Sequence, residues 1–145
     1  MSSFLAGVFI ALGSILMGFV GGYLTAGGIA ATKLICGMVF SVGLCFVIMA
    51  GAELFTGNNF VMAASSLSGQ VPWGKTVKLW IVCYLGNLVG SVVAAAIFTL
   101  TGIPGSGDVG AFFANAAEAK MNGDALQLFT KAILCNICVC IAIWC

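Results

Sequence analysis

Apolar residues run along this chain in long blocks, and the polar residues gather in a few short intervals between them. Phe4 to Tyr23, Leu34 to Ala52, Leu79 to Leu100 and Ala125 to Cys145 are each about the length of a bilayer-crossing helix and nearly free of charge. They do not alternate apolar with polar residues, as a membrane β-barrel strand must, so the pattern predicts helices. The second block is unusual. From Leu34 its apolar character continues beyond Glu53 to Leu67, too long for one straight span and too short for two. The expectation is one helix, broken between Gly51 and Asn59, where glycines permit non-helical backbone and Thr56 or Asn58 can cap a restarting half-helix.

Composition turns these elements into a class of protein. Of 145 residues, 62% are hydrophobic and 6% charged, with mean hydropathy +1.21; an ordinary soluble domain carries far more charge. The chain reads as an all-α, multi-pass integral membrane protein. The first block lacks the basic flank of a signal peptide and is followed by further spans, so it stays in the membrane. The net charge is +1, with no histidine, which leaves no basic patch for nucleic acid and no His-based metal or catalytic site.

Charge also sets orientation. Lys75 and Lys78 precede the third span, whereas the segment 101–124 carries Asp108, Glu118, Asp124 and only Lys120. The positive-inside rule places the two lysines and the N-terminus in the cytoplasm and the acidic segment outside, as a loop. Gly18-x-x-x-Gly22 and Gly86-x-x-x-Gly90, with Ala94 one turn on, form small-residue stripes for close helix packing within or between subunits. Trp73 and Trp80 read as interfacial anchors. The chain starts almost inside a span and stops at Trp144-Cys145 without cap, basic flank or tail, so a truncated polypeptide is expected.

Few residues can carry chemistry. Irregular backbone at membrane depth persists only where it is buried in protein or lines a watery cavity. The break is therefore either a permeation site, with half-helix ends offering partial charges to a solute, or a kink without transport role. Glu53, just before it, reads as a cap. Lys131 lies about two turns into the fourth span and either faces a cavity, where it would concentrate small anions, or snorkels to the interface. Asn136 is about 7.5 Å deeper and roughly 140° around the same helix; it either borders that cavity or bonds a neighbouring helix. Asn87 has the same two readings, packing being favoured. Phe40, Leu44, Leu54 and Phe55 are candidates for an apolar constriction, although large apolar side chains in a span are ordinarily packing. The seven cysteines are spread through the spans and read as small apolar residues. Cys135-x-x-Cys138-x-Cys140 has a metal-like spacing with no residue nearby to complete a four-ligand site. It leaves a thiol or metal redox subunit as one alternative function and a non-transporting membrane fragment as another.

Four ordered motifs carry a resemblance. Phe40-Ser41-Val42-Gly43-Leu44, Gly51-Ala52-Glu53-Leu54-Phe55-Thr56-Gly57-Asn58, Tyr84-Leu85-Gly86-Asn87-Leu88-Val89-Gly90, and Lys131-x-x-x-Cys135-Asn136-x-x-Val139-Cys140-x-Ala142-x-Trp144 resemble the formate/nitrite transporter family. The resemblance implies a homopentamer in the cell membrane, built from aquaporin-like protomers that each hold a pore within six helices arranged as two inverted halves. It implies transport of a small monovalent anion or its neutral acid, formate, nitrite or hydrosulfide, with no cofactor and no enzymatic activity. Residues 1–145 then form one transmembrane domain: a first half to about residue 100, an external loop 101–124, and the first helix of the second half. The family's last two helices, with its second broken helix and pore histidine, have no counterpart. The resemblance makes Gly51, Glu53, Gly57 and Asn58 part of a gating loop, with Leu54, Phe55 and Thr56 at the cytoplasmic end of the pore. It adds Leu44 and Phe40 to the constriction and makes Lys131 the vestibule lysine and Asn136 the helix-four asparagine.

Overall fold

The computed structural model describes residues 1–144; Cys145, the last residue of the predicted fourth span, lies outside the described residues. Six α-helices follow in order: α1 Ser2–Ala26, α2 Thr32–Met49, α3 Phe55–Leu67, α4 Trp73–Leu100, α5 Gly107–Met121 and α6 Ala125–Trp144. Four of them, α1, α2, α4 and α6, are long and apolar enough to cross a membrane. The predicted broken helix is α2 and α3 in succession, separated by Ala50 to Leu54.

The segment 101–124 is not a plain loop. After a single 3₁₀ turn at Ile103–Gly105 it forms α5. Ala111, Ala114, Ala116, Ala117 and Ala119, with Glu118 and Lys120, are strong helix formers, and Asp108 lies in the first turn, where negative charge suits the helix dipole.

Helix α1 is the centre of the bundle, with α2, α4 and α5 all packed against it. The pairing with α2 is antiparallel: Phe9 meets Phe46 at a ring separation of 6.0 Å, and the Cys36 thiol bonds the Met17 carbonyl. That with α4 is parallel, since Ser3, Gly7 and Phe19 meet Asn87, Ser91 and Phe98 in turn. Without a strong hydrophobic drive between helices in lipid, such contacts rely on small residues that let backbones approach. The sequence supplies them here. Gly86 and Gly90 receive the first turns of α1, while Gly18, Gly21 and Gly22 receive Phe113, Phe112 and Val109 of α5. Both small-residue stripes are thus used within the protomer.

Helix α3 packs on α4 and α6. Its far end is pinned to α4 by a buried hydroxyl pair, Ser66 and Thr76, at 2.6 Å. Helix α6 packs mainly against α3 and has no buried residue among those described. Helices α2, α3 and α6 therefore run one way and α1 and α4 the other. Asn87 falls halfway along the 28 residues of α4, so the break it touches lies about 20 Å from either end of that helix, at mid-depth of the bundle.

Candidate functional site

The break begins where α2 runs into Gly51, whose φ of +61° suits glycine and not a side-chain-bearing residue. Every polar group of an interrupted backbone at this depth needs a partner, because hydrocarbon offers none. Ala50 and Ala52 close the end of α2 by donating to Phe46 and Val47 carbonyls at 3.0 and 2.9 Å. Beyond that the partners come from other helices. The Ser2 hydroxyl accepts from Glu53 N–H at 3.0 Å, the Asn87 Oδ1 accepts from Phe55 N–H at 2.9 Å, and Asn87 Nδ2 donates to the Glu53 carbonyl at 3.0 Å.

This corrects the expected capping. Leu54 occupies the N-cap position of α3 and makes no side-chain cap bond, and Thr56 and Asn58 lie inside the helix. Glu53 is no cap either: its carboxylate accepts from the Asn58 side chain, not from backbone N–H groups of α3. Asn87, which the sequence favoured as packing, supplies the cap from α4. Its signal was an amide inside an apolar span, but the partner is 32 residues away in sequence. Asn58 is tied down twice more, its Nδ2 to the Cys83 sulfur at 3.2 Å and its carbonyl to Trp80 Nε1 at 3.2 Å. Trp80 is thus a brace for α3 as well as an aromatic residue of the span.

Beside the break lies a cleft of about 290 Å³, lined by the end of α2, by Gly51, Glu53, Leu54, Gly57 and Asn58, and by Ile143 of α6. The negative end of the α2 dipole and the positive end of the α3 dipole both border it. A second groove of about 450 Å³ follows the seam between α3 and α6, where Phe60 faces Asn136, Cys140 and Trp144. The Cys140 thiol bonds the Thr56 carbonyl at 3.6 Å, which sets Thr56 about one turn from Asn136 along this seam. The Asn136 Oδ1 is buried without a hydrogen-bond partner.

The structure therefore gathers Gly51, Glu53, Leu54, Gly57 and Asn58 around one cleft, with Thr56 and Asn136 along the adjoining seam. Other predicted site residues lie apart. Phe55 packs edge-on against Tyr84 at 5.5 Å, on the α4 side of the helix. Phe40 and Leu44 are half-buried on α2 near its crossing with α1. Lys131 is exposed on α6, one and a half turns before Asn136. Cys135 and Cys138 are exposed, and among the described residues no three metal-ligating side chains converge.

Comparison with known proteins gives this arrangement relatives. A family profile described as Formate/nitrite transporter matches residues 1–145. The formate channel FocA of Haemophilus influenzae is 36% identical over 78% of this chain and 40% of its own length. The nitrite transporter NirC of Escherichia coli is 35% identical over 99% of this chain and 52% of its own. Among solved structures, a pentameric formate channel with formate bound superposes with a TM-score of 0.85 at 30% identity, covering 99% of this chain and 57% of that one. An ion channel of the same family superposes with a TM-score of 0.86 at 34% identity. The chain spans about half the length of these relatives. It is a multi-pass membrane protein with the fold of these channels, and it belongs to the formate/nitrite transporter family.

Proposed function

We propose that this chain contributes one half of a protomer pore that carries small monovalent anions, or their neutral acids, across the cell membrane, within a homopentamer. The observation that carries the reading is the broken helix α2/α3, whose half-helix ends border a cleft at mid-depth of the bundle. Membrane proteins keep such interruptions where a solute must meet polar backbone inside the bilayer. Relatives named as a formate channel and a nitrite transporter support formate and nitrite as substrates; hydrosulfide shares their small size and single charge.

Desolvation shapes the mechanism. A bare carboxylate entering a dry constriction loses hydration worth several kcal/mol, up to about 20 in the idealised Born limit. A neutral acid avoids most of that cost. In this reading Lys131, exposed on α6, attracts the anion at the outer mouth, and its field raises the local anion concentration. The solute takes up a proton and passes the apolar residues Phe40, Leu44, Leu54 and Phe55, while the Thr56 hydroxyl and Asn136 amide offer hydrogen bonds along the seam. Gly51 and Glu53 in the break, with Gly57 and Asn58 in the first turn of α3, form the segment that opens or closes the path. The N-terminus, Lys75 and Lys78 lie on the cytoplasmic side.

The test is flux of formate, nitrite and hydrosulfide into liposomes carrying the chain, measured across a pH series. Flux should rise as pH falls, Lys131→Ala should lower it roughly tenfold, and Lys131→Arg should largely preserve it. Equal flux in all three proteins would remove Lys131 from the mechanism, and flux no greater than in empty liposomes would defeat transport by this chain.

A further inference from the structure

The break could be held by its own local bonds, yet the contacts that fix it come from two other helices. Asn87 spends its whole side-chain amide on three main-chain groups. Its Oδ1 accepts from Phe55 N–H at 2.9 Å, and its Nδ2 donates to the carbonyls of Ser3 at 2.7 Å and Glu53 at 3.0 Å. Ser2, in the first turn of α1, reaches the same segment: its hydroxyl accepts from Glu53 N–H at 3.0 Å and donates to the Gly51 carbonyl at 3.4 Å. Glu53 is thus held by both of its main-chain groups, one to α1 and the other to α4. The two helices that hold it are themselves locked by the close approach at Gly86 and Gly90 and by the Ser91 hydroxyl on the Gly7 carbonyl at 3.1 Å.

The chemistry of this pattern is specific. One acceptor and two donors on a short planar group is the inventory of a carboxamide; a carboxylate of the same shape has no donor, and an alanine has neither. We propose that Asn87 and Ser2 form a latch, in which Asn87 is a positioning residue that holds the break segment Gly51 to Phe55 in its present shape and so sets where Leu54, Phe55 and Thr56 stand. The proposal builds on the pore reading given above, but its first readout does not depend on transport.

That readout is amide hydrogen exchange of residues 51–57, measured by mass spectrometry on the full chain in lipid nanodiscs and expressed as protection relative to an unstructured peptide. Asn87→Ala should lower protection in this segment about tenfold or more, since the Phe55 N–H and the carbonyls of Ser3 and Glu53 lose their shared partner. Asn87→Asp is the sharper variant. At pH 8 its carboxylate faces the Ser3 and Glu53 carbonyls without a donor, and protection should fall as in Asn87→Ala. At about pH 3.5, below the ordinary aspartate pKa of about 3.9, a protonated Asp regains one donor and should recover part of that protection, which a merely disrupted fold would not do. The unsubstituted chain controls for the other titratable groups around the latch: Glu53 in the loop, Cys83 and Tyr84 on α4, and the Met1 amino group at the start of α1. Ser2→Ala, in the first turn of α1, should loosen the Glu53 amide without affecting α4.

Unchanged protection in Asn87→Asp and Ser2→Ala would overturn the latch, as would an Asn87→Asp defect that ignores pH. Loosened protection with no flux in any variant would uphold the latch and count against the pore reading; flux with unchanged protection would do the reverse.

Discussion

The crossing of α1 and α2 offers a graded test of how this bundle is held together. A Cβ added at Gly13 would lie 2.8 Å from Gly43 Cα and 3.0 Å from Gly43 N, and neither backbone atom can rotate away. Carbon atoms in contact prefer about 3.5–4.0 Å, so Gly13→Ala must push the helices apart by roughly 1 Å, a gap that forfeits a quarter to a half of each dispersion contact along the crossing. At Gly43 the added Cβ would meet Phe9 O at 3.1 Å and Gly13 Cα at 3.2 Å, a milder conflict. At Gly37, on the same helix, it would meet nothing within 4 Å. Overpacking costs typically 1–3 kcal/mol, whereas replacing glycine by alanine in an unobstructed helix gains up to about 1 kcal/mol. Gly13→Ala should therefore destabilise by about 2 kcal/mol, Gly43→Ala by less, and Gly37→Ala should be neutral or stabilising by about 0.5–1 kcal/mol. The double variant at 13 and 43 should cost less than the sum, because both methyl groups press on one crossing. The assay is reversible unfolding in mixed detergent micelles followed by circular dichroism. Gly13→Ala and Gly37→Ala falling within about 0.5 kcal/mol of one another would refute close backbone approach as the basis of this contact.

Three further outcomes follow from the packing. Thr76 is fully buried and its hydroxyl meets only Ser66 among the bonds seen, so Thr76→Val should cost about 1–3 kcal/mol by orphaning Ser66, and adding Ser66→Ala should recover part of the loss in the same unfolding assay. Phe113 fills the space above Gly18 and packs on Phe98 at 5.7 Å; Phe113→Ala should cost about 3 kcal/mol and make α5 the first helix to exchange its amide hydrogens. Trp80→Phe removes the 3.2 Å bond to the Asn58 carbonyl while keeping an aromatic ring, though a smaller one, and should cost about 1 kcal/mol or somewhat more with exchange rising at the start of α3 and not at its far end.

Much of the architecture could be read from residues alone, because membrane spans are long and their chemistry is one-sided. The apolar run from Leu34 to Leu67 announced a break by its length, and the glycines and polar residues inside it located that break to within a few positions. Helix α5 was hidden by the same logic. Its flanks, Pro104-Gly105-Ser106-Gly107 and Asn122-Gly123-Asp124, are strong turn signals, and its low hydrophobicity sets it apart from the spans, although its alanines favour a helix. The capping of α3 was hidden for a different reason. Local sequence offers Thr56 and Asn58 as caps, but the amide that does the work belongs to α4, and only the antiparallel packing of α3 on α4 with α1 alongside brings it there. Tertiary contacts of this kind leave no periodic trace; the sequence shows only that Asn87 is a costly residue to bury without a partner.

The pairing of α3 with α6 has a mechanical consequence. These two helices lie side by side in the same direction, joined where Thr56 meets Cys140, Gly57 meets Ile143 and Phe60 meets Trp144, whereas α3 joins α2 through an extended strip of only a few residues. Because α3 is also pinned to α4, through Asn58 with Cys83 and Trp80 near its start and through Ser66 with Thr76 at its far end, α6 rests on a half-helix that is itself clamped. Probe distances from Thr56 to Cys140 and from Ser66 to Thr76 should then stay fixed together among conformations, so the groove between the two rods would keep a constant bore and any change in the cleft beside the break would have to come from the short segment Ala50 to Leu54.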